Sequence, residues 1–195
     1  NVPEEYGGAG MDEVSKALVI MEIAKVDASV AELLAVHTLT NDIFLKRGTE
    51  EQKKKYLALG ASGKVGAFAL TEPGAGSDAS AAKTKAISDG DDYIINGTKC
   101  FISNMGPEEG DYVVLIDLTD PSAGTKGMSA IVVDRNTPGF SVGKLENKMG
   151  LRGANVSELI FQDCRVPKSN LLGKEGEGFK IAMAALDGGR IGMAS

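Results

Sequence analysis

The chain has 195 residues, a formal net charge of −6 and 43% hydrophobic residues, so it has an ordinary globular composition and enough length to bury a core. The acidic balance argues against a nucleic-acid-binding surface, which needs a patch of Lys and Arg. No apolar run approaches the roughly 18 residues that a membrane span requires.

Few residues of the chain are suited to ligating a metal or acting as a nucleophile. Cys100 and Cys164 are far apart and form no Cys-x-x-Cys pair, and His37 is the single histidine. Their spacing fits neither a zinc site nor a nucleophile–histidine pair. We therefore expect two reduced, partly buried thiols, a packed or surface histidine and no metal site.

The first 62 residues are predicted to form a helical domain. In the first helix, apolar residues spaced three and four apart predict an inward stripe: Val14, Ala17, Leu18, Met21 and Ala24. A second helix is expected over residues 29–46, and Gly48 ends it. A third helix begins at the capping box "TEEQ", residues 49–52, and ends near Gly60.

Residues 63–173 contain short β-rich runs that are separated by turn signals such as Asp89-Gly90 and Pro138-Gly139. Asn96-Gly97, between "YII" and "TKCFI", predicts a two-residue hairpin. Several short strands joined by hairpins predict an antiparallel sandwich or barrel rather than βαβ units.

A helical pattern resumes in residues 174–195, so the predicted fold is α+β and multidomain. It comprises a helical domain at 1–62, a β domain at 63–173 and the start of a second helical domain at 174–195. The chain starts without Met and stops inside this helical pattern. We therefore expect a fragment whose last helix has a partly exposed apolar face.

The stretch "FALTEPGAGSD", residues 68–78, is the first candidate site. Gly74-Ala75-Gly76 matches the start of a dinucleotide fingerprint, but that motif requires a long helix and a parallel strand after the loop. Only a few residues separate this loop from a strand that enters a hairpin. A glycine loop with Thr71 and Ser77 instead offers backbone N–H groups and hydroxyls, which suit a phosphate or the polar edge of a flat ring. The alternative is an ordinary turn.

A second candidate is "CFISN", residues 100–104, which is predicted to be the return strand of the Asn-Gly hairpin. Phe101 and Ser103 share one face because side chains alternate along a strand. An aromatic wall with a hydroxyl on the same face can hold a planar ring. A core Phe and a surface Ser are the alternative.

Six blocks, taken together and in order, resemble the acyl-CoA dehydrogenase family and cover essentially the whole chain. They are "VPEEYGGAG", "FALTEPGAGSD", "NGTKCFISN", "KMGLRGANVSELIFQDCRVP", "NLLG" with "EGEGF", and "ALDGGRIGMAS". The last block is most similar to the short-chain, butyryl-CoA type. The resemblance implies an N-terminal helical domain, a middle β domain and a C-terminal four-helix domain, in the order predicted above.

The resemblance implies FAD as the cofactor. It implies that Thr71 bonds the polar edge of the flavin, that Ser77 also touches the CoA thioester, and that Ser103 lies near the flavin N5. Many members have Trp where this chain has Phe101. The implied flavin contacts are Phe68, Ala69, Leu70, Thr71, Glu72, Pro73, Gly74, Ala75, Gly76, Ser77, Phe101, Ile102 and Ser103.

The resemblance also implies α,β-dehydrogenation of an acyl-CoA to the trans-2-enoyl-CoA, in which a carboxylate removes the α-proton and the flavin accepts the β-hydride. In most members that carboxylate would lie beyond Ser195, and in a minority it lies at the position of Gly189, which has no side chain. No catalytic residue is therefore assigned in this chain, and Glu72 is given no such role. The implied substrate contacts are Ser77, Asp187, Gly188, Gly189 and Arg190.

The partners implied by the resemblance are an acyl-CoA substrate, an electron transfer flavoprotein as acceptor and further copies in a homotetramer. The implied location is the cytoplasm in a bacterium or the mitochondrial matrix in a eukaryote. Two other hypotheses stay open. An acyl-CoA oxidase or flavin monooxygenase on the same fold would react with O₂, and a non-catalytic ligand-binding or assembly module would be colourless.

Overall fold

The computed structural model describes all of residues 1–195 and has helices at both ends of the chain with a β-sheet between them. The helices are α1 (Glu13–Ala24), α2 (Ala28–Arg47), α3 (Glu50–Ala61) and, last in the chain, α4 (Gly178–Ala194). The strands are β1 (Gly66–Ala69), β2 (Lys85–Asp89), β3 (Asp92–Ser103), β4 (Tyr112–Leu118), β5 (Met128–Asp134), β6 (Phe140–Leu145), β7 (Val156–Pro167) and β8 (Leu171–Leu172). The predicted order of helices, strands and a final helix is confirmed.

The capping box at the start of α3 is confirmed. The Gln52 backbone N–H donates to Thr49 Oγ1 at 3.2 Å, and the Thr49 backbone N–H donates to Gln52 Oε1 at 2.9 Å. Gln52 Nε2 also donates to the carbonyl oxygens of Ser169 and Leu171. The cap therefore starts the helix and also joins it to the segment that leads into β8.

The inward stripe predicted for α1 is wrong at three of its five residues, whereas Ala24 packs against the buried cluster between α1 and α2. Val14, Leu18 and Met21 are 68%, 55% and 43% exposed, and the buried residues of α1 are Lys16 and Ile20. Ile20 packs against alanines of α2, and apolar residues occur on more than one side of α1. Periodicity alone could not select the face that contacts α2.

The eight strands form one sheet in the order β6-β7-β3-β2-β4-β5-β8, and β1 pairs with β4 off this path. Most pairs are antiparallel, as predicted. The exceptions are β1 with β4, which run parallel, and β2, which meets β4 in parallel at the single position Lys85–Leu118. The sheet thus brings the end of β1 beside β4.

The hairpin predicted at Asn96-Gly97 is wrong, because β3 runs without interruption from Asp92 to Ser103. The turn lies earlier, between β2 and β3, which pair back to Asp89 and Asp92. Gly97 has φ +151° at a register shift against β7, and a Cβ there would lie 2.5 Å from Thr84 Cγ2. The glycine therefore serves a bulge and a close approach rather than a turn.

Strand β4 separates two hydrophobic cores, and all seven of its residues are buried. Alternate side chains enter opposite sides of the sheet, which explains the continuous apolar run. The helical side contains Phe44, Tyr56, Tyr112, Val114 and Ile116. The other side contains Ile95, Val113, Leu115, Leu159 and Phe161.

Helix α4 packs on α2 and β5 and presents an apolar surface on its other side. Ile181, Ala182 and Ala185 are buried, whereas Met183, Ile191 and Met193 are exposed. The expected partly exposed apolar face is confirmed. None of the helices combines the length and the apolarity needed to cross a membrane.

We predict that Gly97→Ala lowers the free energy of unfolding by about 1–3 kcal/mol, because the new Cβ meets the Thr84 side chain in a backbone conformation that favours glycine. Gly150→Ala is the control, since a Cβ at Gly150 meets nothing within 4 Å. Urea denaturation measures both. Equal stability of the two variants would contradict the close approach of β3 to Thr84.

Candidate functional site

A cleft of about 730 Å³ lies between α2, α4, the loop after β1 and the end of β3. Hydrophobic residues make up 12 of the 20 that line it, so it is an apolar cleft with a small number of polar groups. Both sequence-predicted stretches and the last helix meet here. The predicted site residues that line the cleft are Phe68, Leu70, Thr71, Gly76, Ser77, Phe101, Ile102, Ser103, Gly189 and Arg190.

The remaining predicted site residues do not line the cleft. Ala69 and Ala75 are buried in the two cores, and the side chain of Glu72 turns into the interior. Pro73, Gly74, Asp187 and Gly188 are also absent from its wall. Asp78, the last residue of the first candidate stretch, also lines it. Several residues that sequence reasoning missed line it as well, namely Ala35, Val36, Leu39, Ala79, Ser80, Phe179, Met183, Leu186 and Met193.

Phe101 presents an aromatic ring on the cleft wall. Its backbone has φ +58°, an uncommon conformation for a bulky residue, at a register shift between β3 and β7. The side chain is 64% exposed, whereas the neighbouring Ile102 is buried. Phe101 and Ser103 both line the cleft, but so does Ile102, because the bulge at Phe101 interrupts the regular alternation of the strand. Unusual backbone conformations cost free energy and cluster at ligand sites, which makes Phe101 a ligand-contact candidate.

The loop after β1 is closed by backbone hydrogen bonds. Glu72 and Ala75 exchange two of them, at 3.1 and 3.0 Å, and the Cys100 N–H donates to the Thr71 carbonyl oxygen at 2.9 Å. A Cβ at Gly74 or Gly76 would meet nothing within 4 Å. The loop is thus fixed at its base and has open space at its glycines, where a ligand can approach the backbone.

Behind this loop lies a buried ionic cluster. Lys99 is fully buried, and its Nζ lies 2.8 Å from Glu72 Oε1 and 3.6 Å from Asp117 Oδ1. Burial opposes ionisation of Glu72. Its hydrogen bond with Lys99 and those from the backbone N–H groups of Lys83 and Thr84 outweigh this and hold the pKa of Glu72 below its usual value.

Asp117 is the weakly bonded member of the cluster. Neither of its carboxylate oxygens has a hydrogen-bond partner, although the residue is fully buried. Burial raises the pKa of Asp117 to about 7, since the attraction of Lys99 at 3.6 Å offsets only part of the desolvation. The cluster therefore contains one firmly ionised carboxylate and one that titrates near neutral pH.

A second polar pair joins α2 to the cleft. Ser103 Oγ donates to Glu32 Oε1 at 2.7 Å, and Glu32 Oε2 is buried without a partner. Glu32 precedes Ala35 and Val36 by three and four residues, so it shares the cleft-facing side of α2. That spacing could have indicated Glu32 from the sequence, but nothing in the sequence paired it with Ser103.

The two cysteines and the histidine, which the sequence excluded as nucleophiles, are buried or half-buried in the fold. Cys100 and Cys164 are free and buried, and burial raises the pKa of both thiols, that of Cys164 to about 11. His37 Nδ1 accepts from the Gly66 N–H at 3.2 Å, and burial lowers the pKa of His37. No group of three or more His, Cys, Asp or Glu residues is arranged to hold a metal ion.

The cleft has the chemistry that a flavin requires. An exposed phenylalanine ring can lie against a flat heterocycle, and the hydroxyls of Thr71, Ser77 and Ser103 can bond its polar edge. Gly189 brings α4 close to α2, since a Cβ there would lie 2.8 Å from Leu39 Cδ1. The residues present therefore fit FAD as the cofactor.

Comparisons with known proteins agree with this geometry. The family model described as "Acyl-CoA dehydrogenase, N-terminal domain" matches residues 1–64, and "Acyl-CoA dehydrogenase, middle domain" matches residues 67–164. The chain therefore belongs to the acyl-CoA dehydrogenase family.

Individual relatives are similar along the whole chain. "Acryloyl-CoA reductase (NADH)" of Anaerotignum propionicum is 52% identical over 100% of this chain and 50% of its own length. Butyryl-CoA dehydrogenase from Megasphaera elsdenii superposes with a TM-score of 0.94 at 46% identity, over 98% of this chain and 51% of that one.

A chain in a structure described as "Electron transferring flavoprotein of Acidaminococcus fermentans: Towards a mechanism of flavin-based electron bifurcation" gives a TM-score of 0.95 at 53% identity, over 98% of this chain and 50% of that one. The chain thus spans about half the length of the relatives it matches.

We predict that Asp117→Asn becomes increasingly more stable than the wild type between pH 5 and pH 8. An ordinary Asp has a pKa of about 3.9. Because the folded-state pKa is higher, the stability that the bound proton contributes is complete below pH 4 and is lost as the pH rises toward 7. Asn does not titrate, so between pH 5 and pH 8 the difference grows by about 2–3 kcal/mol.

Urea denaturation at several pH values measures this difference. Asp91→Asn, on the exposed turn between β2 and β3, is the control and should show no such trend. If the difference in the free energy of unfolding between Asp117→Asn and the wild type does not change with pH, Asp117 does not bind a proton in the folded state as predicted.

Proposed function

We propose that this chain is part of an FAD-dependent acyl-CoA dehydrogenase that converts a short acyl-CoA to the trans-2-enoyl-CoA. The observation that carries the proposal is the meeting of the 71–77 loop, residues 101–103 and α4 around one apolar cleft. Family membership supports the same reaction. The similarity to a butyryl-CoA dehydrogenase supports the short chain length.

The proposed flavin contacts divide by chemistry. Phe101 and Phe68 provide apolar surface for the ring, Thr71 and Ser103 provide hydroxyls, and Gly76 and Ser77 bring backbone groups to the cleft wall. The proposed acyl-CoA contacts on that wall are Ser77, Gly189 and Arg190. Arg190 lines the cleft and supplies a positive charge beside a ligand that carries phosphates.

FAD, when bound, supplies the acceptor for the substrate's β-hydride. The residues of this chain orient the two ligands and keep water out with the apolar walls of α2 and α4. The α-proton needs a carboxylate. Asp78 is the one carboxylate on the cleft wall, but it is exposed and accepts hydrogen bonds from Ser80, and Gly189 has no side chain. We therefore assign the base to the part of the protein outside these 195 residues.

The proposed electron acceptor is an electron transfer flavoprotein, supported by the similar chain from the Acidaminococcus fermentans structure. A homotetramer is the proposed assembly. The proposed location is the bacterial cytoplasm or the mitochondrial matrix, depending on the source organism.

The visible spectrum of the full-length protein tests the function. We expect a flavin absorption band that bleaches when butyryl-CoA is added without oxygen. Rapid recovery of the band in air would identify an oxidase or monooxygenase. A band that butyryl-CoA does not bleach would argue against a short-chain substrate. A colourless protein would support the non-catalytic module.

We predict that Phe101→Ala in the full-length protein weakens FAD binding roughly tenfold, because an aromatic contact contributes about 0.5–1.5 kcal/mol beyond the area that it buries. Met149→Ala is the control, since Met149 is fully exposed and lies outside the cleft. Titration of the apoprotein with FAD, followed by flavin fluorescence, measures both. Equal FAD affinity in Phe101→Ala and the wild type would show that the Phe101 ring does not contact FAD.

A further inference from the structure

We propose that Lys99 and Glu72 are positioning residues for the ligand cleft: their buried ion pair holds the loop after β1 in the shape that presents Thr71 and Ser77 to FAD. The inference rests on the proposed function, because FAD is the ligand measured. Neither side chain lines the cleft, so both act through the loop.

Lys99 connects three parts of the sheet through one ammonium group. Besides Glu72, its Nζ donates to the Leu70 carbonyl oxygen at 3.3 Å and to the Ile116 carbonyl oxygen at 2.6 Å. Leu70 directly follows β1 and Ile116 lies in β4, while Lys99 belongs to β3. The ammonium therefore fixes the start of the loop relative to two strands.

Glu72 fixes the far side of the same loop. Its Oε2 accepts from the Lys83 N–H at 2.7 Å and its Oε1 accepts from the Thr84 N–H at 3.0 Å. Residues 83 and 84 lie just before β2, where the chain returns to the sheet. One carboxylate thus joins the first turn of the loop to its exit, and the cleft-lining segment 76–80 lies between those two points.

The contacts differ from those of an ion pair that contributes only to stability. Buried ion pairs are weak contributors to stability, because desolvation offsets much of the attraction. Here every partner of the Lys99 ammonium and the Glu72 carboxylate belongs to the loop, its exit or a neighbouring strand. The geometry that would be lost with this pair is the geometry of the ligand loop.

Two variants of the full-length protein separate positioning from stability. Lys99→Met leaves the Glu72 carboxylate buried without its ammonium, which should destabilise the fold strongly. The double variant Lys99→Met/Glu72→Gln has no such charge, so it should recover part of that stability, although the glutamine carbonyl oxygen replaces only one of the two acceptors that serve the Lys83 and Thr84 N–H groups. The work is done at pH 6, where Asp117 is largely protonated.

Lys16→Met is the matched control. Lys16 is also buried and paired with two carboxylates, those of Glu13 and Asp42, but it lies on α1 away from the cleft. A general effect of removing a buried lysine would appear in this variant as well.

Two measurements decide the matter. We expect the double variant to bind FAD at least about tenfold more weakly than the wild type despite its partly recovered stability, with Lys16→Met unchanged. We also expect faster amide hydrogen exchange in the apoprotein at Ala75, Lys83 and Thr84, whose N–H groups bond within the cluster or the loop.

Wild-type FAD affinity in the double variant, or equal weakening in Lys16→Met, would overturn the positioning role. Unchanged exchange at those three amides would overturn it as well. A wild-type protein that binds no FAD would instead refute the proposed function, and the exchange measurement would then decide on its own whether the pair holds the loop.

Discussion

The ammonium group of Lys99 is the constraint on which this arrangement depends. It is fully buried, and a buried charge is tolerated only when it is paired and hydrogen-bonded. Two carbonyl oxygens and the Glu72 carboxylate meet that demand. Satisfying one charge therefore brings the end of β1, the middle of β4 and the loop after β1 to fixed positions, and the cleft is built on those positions.

The cleft combines this fixed loop with two surface features that a ligand can use: an exposed aromatic ring and an apolar helix face. Phe101 extends from a strained bulge of β3, and α4 approaches α2 closely at Gly189. The polar groups are few and come from the loop and from Ser103, whose hydroxyl is directed to Glu32. Apolar walls with sparse, well-placed polar groups are typical of cofactor sites.

Local patterns predicted much of the fold. The capping box at Thr49 and the strand runs depend on neighbours in sequence, and both are present. The hairpin turn predicted at Asn96-Gly97 was wrong because Gly97 lies at a bulge where the Thr84 side chain packs closely, and the sequence does not show that contact. The stripe predicted for α1 was largely wrong because the packing of α2 determines which side of α1 is buried.

The long-range polar contacts were beyond prediction for a related reason. Lys99 and Glu72 are 27 residues apart, and Ser103 and Glu32 are 71 apart, so only the folded sheet brings them together. A lysine in a strand ordinarily indicates an exposed position, and burial reverses that expectation only when several partners converge. The sequence predicted a ligand loop from local residue types, whereas the contacts behind that loop are visible only in the folded structure.

A crystal structure of the full-length protein with FAD would show whether the flavin occupies this cleft and whether the Lys99–Glu72 pair lies behind it. We expect the flavin ring against Phe101, with the Thr71 and Ser103 hydroxyls within hydrogen-bonding distance of it. We also expect Lys99 to contact Glu72 and the Leu70 and Ile116 carbonyl oxygens behind the loop. A flavin bound away from this cleft, or a loop whose shape is kept without the Lys99–Glu72 contact, would contradict this arrangement.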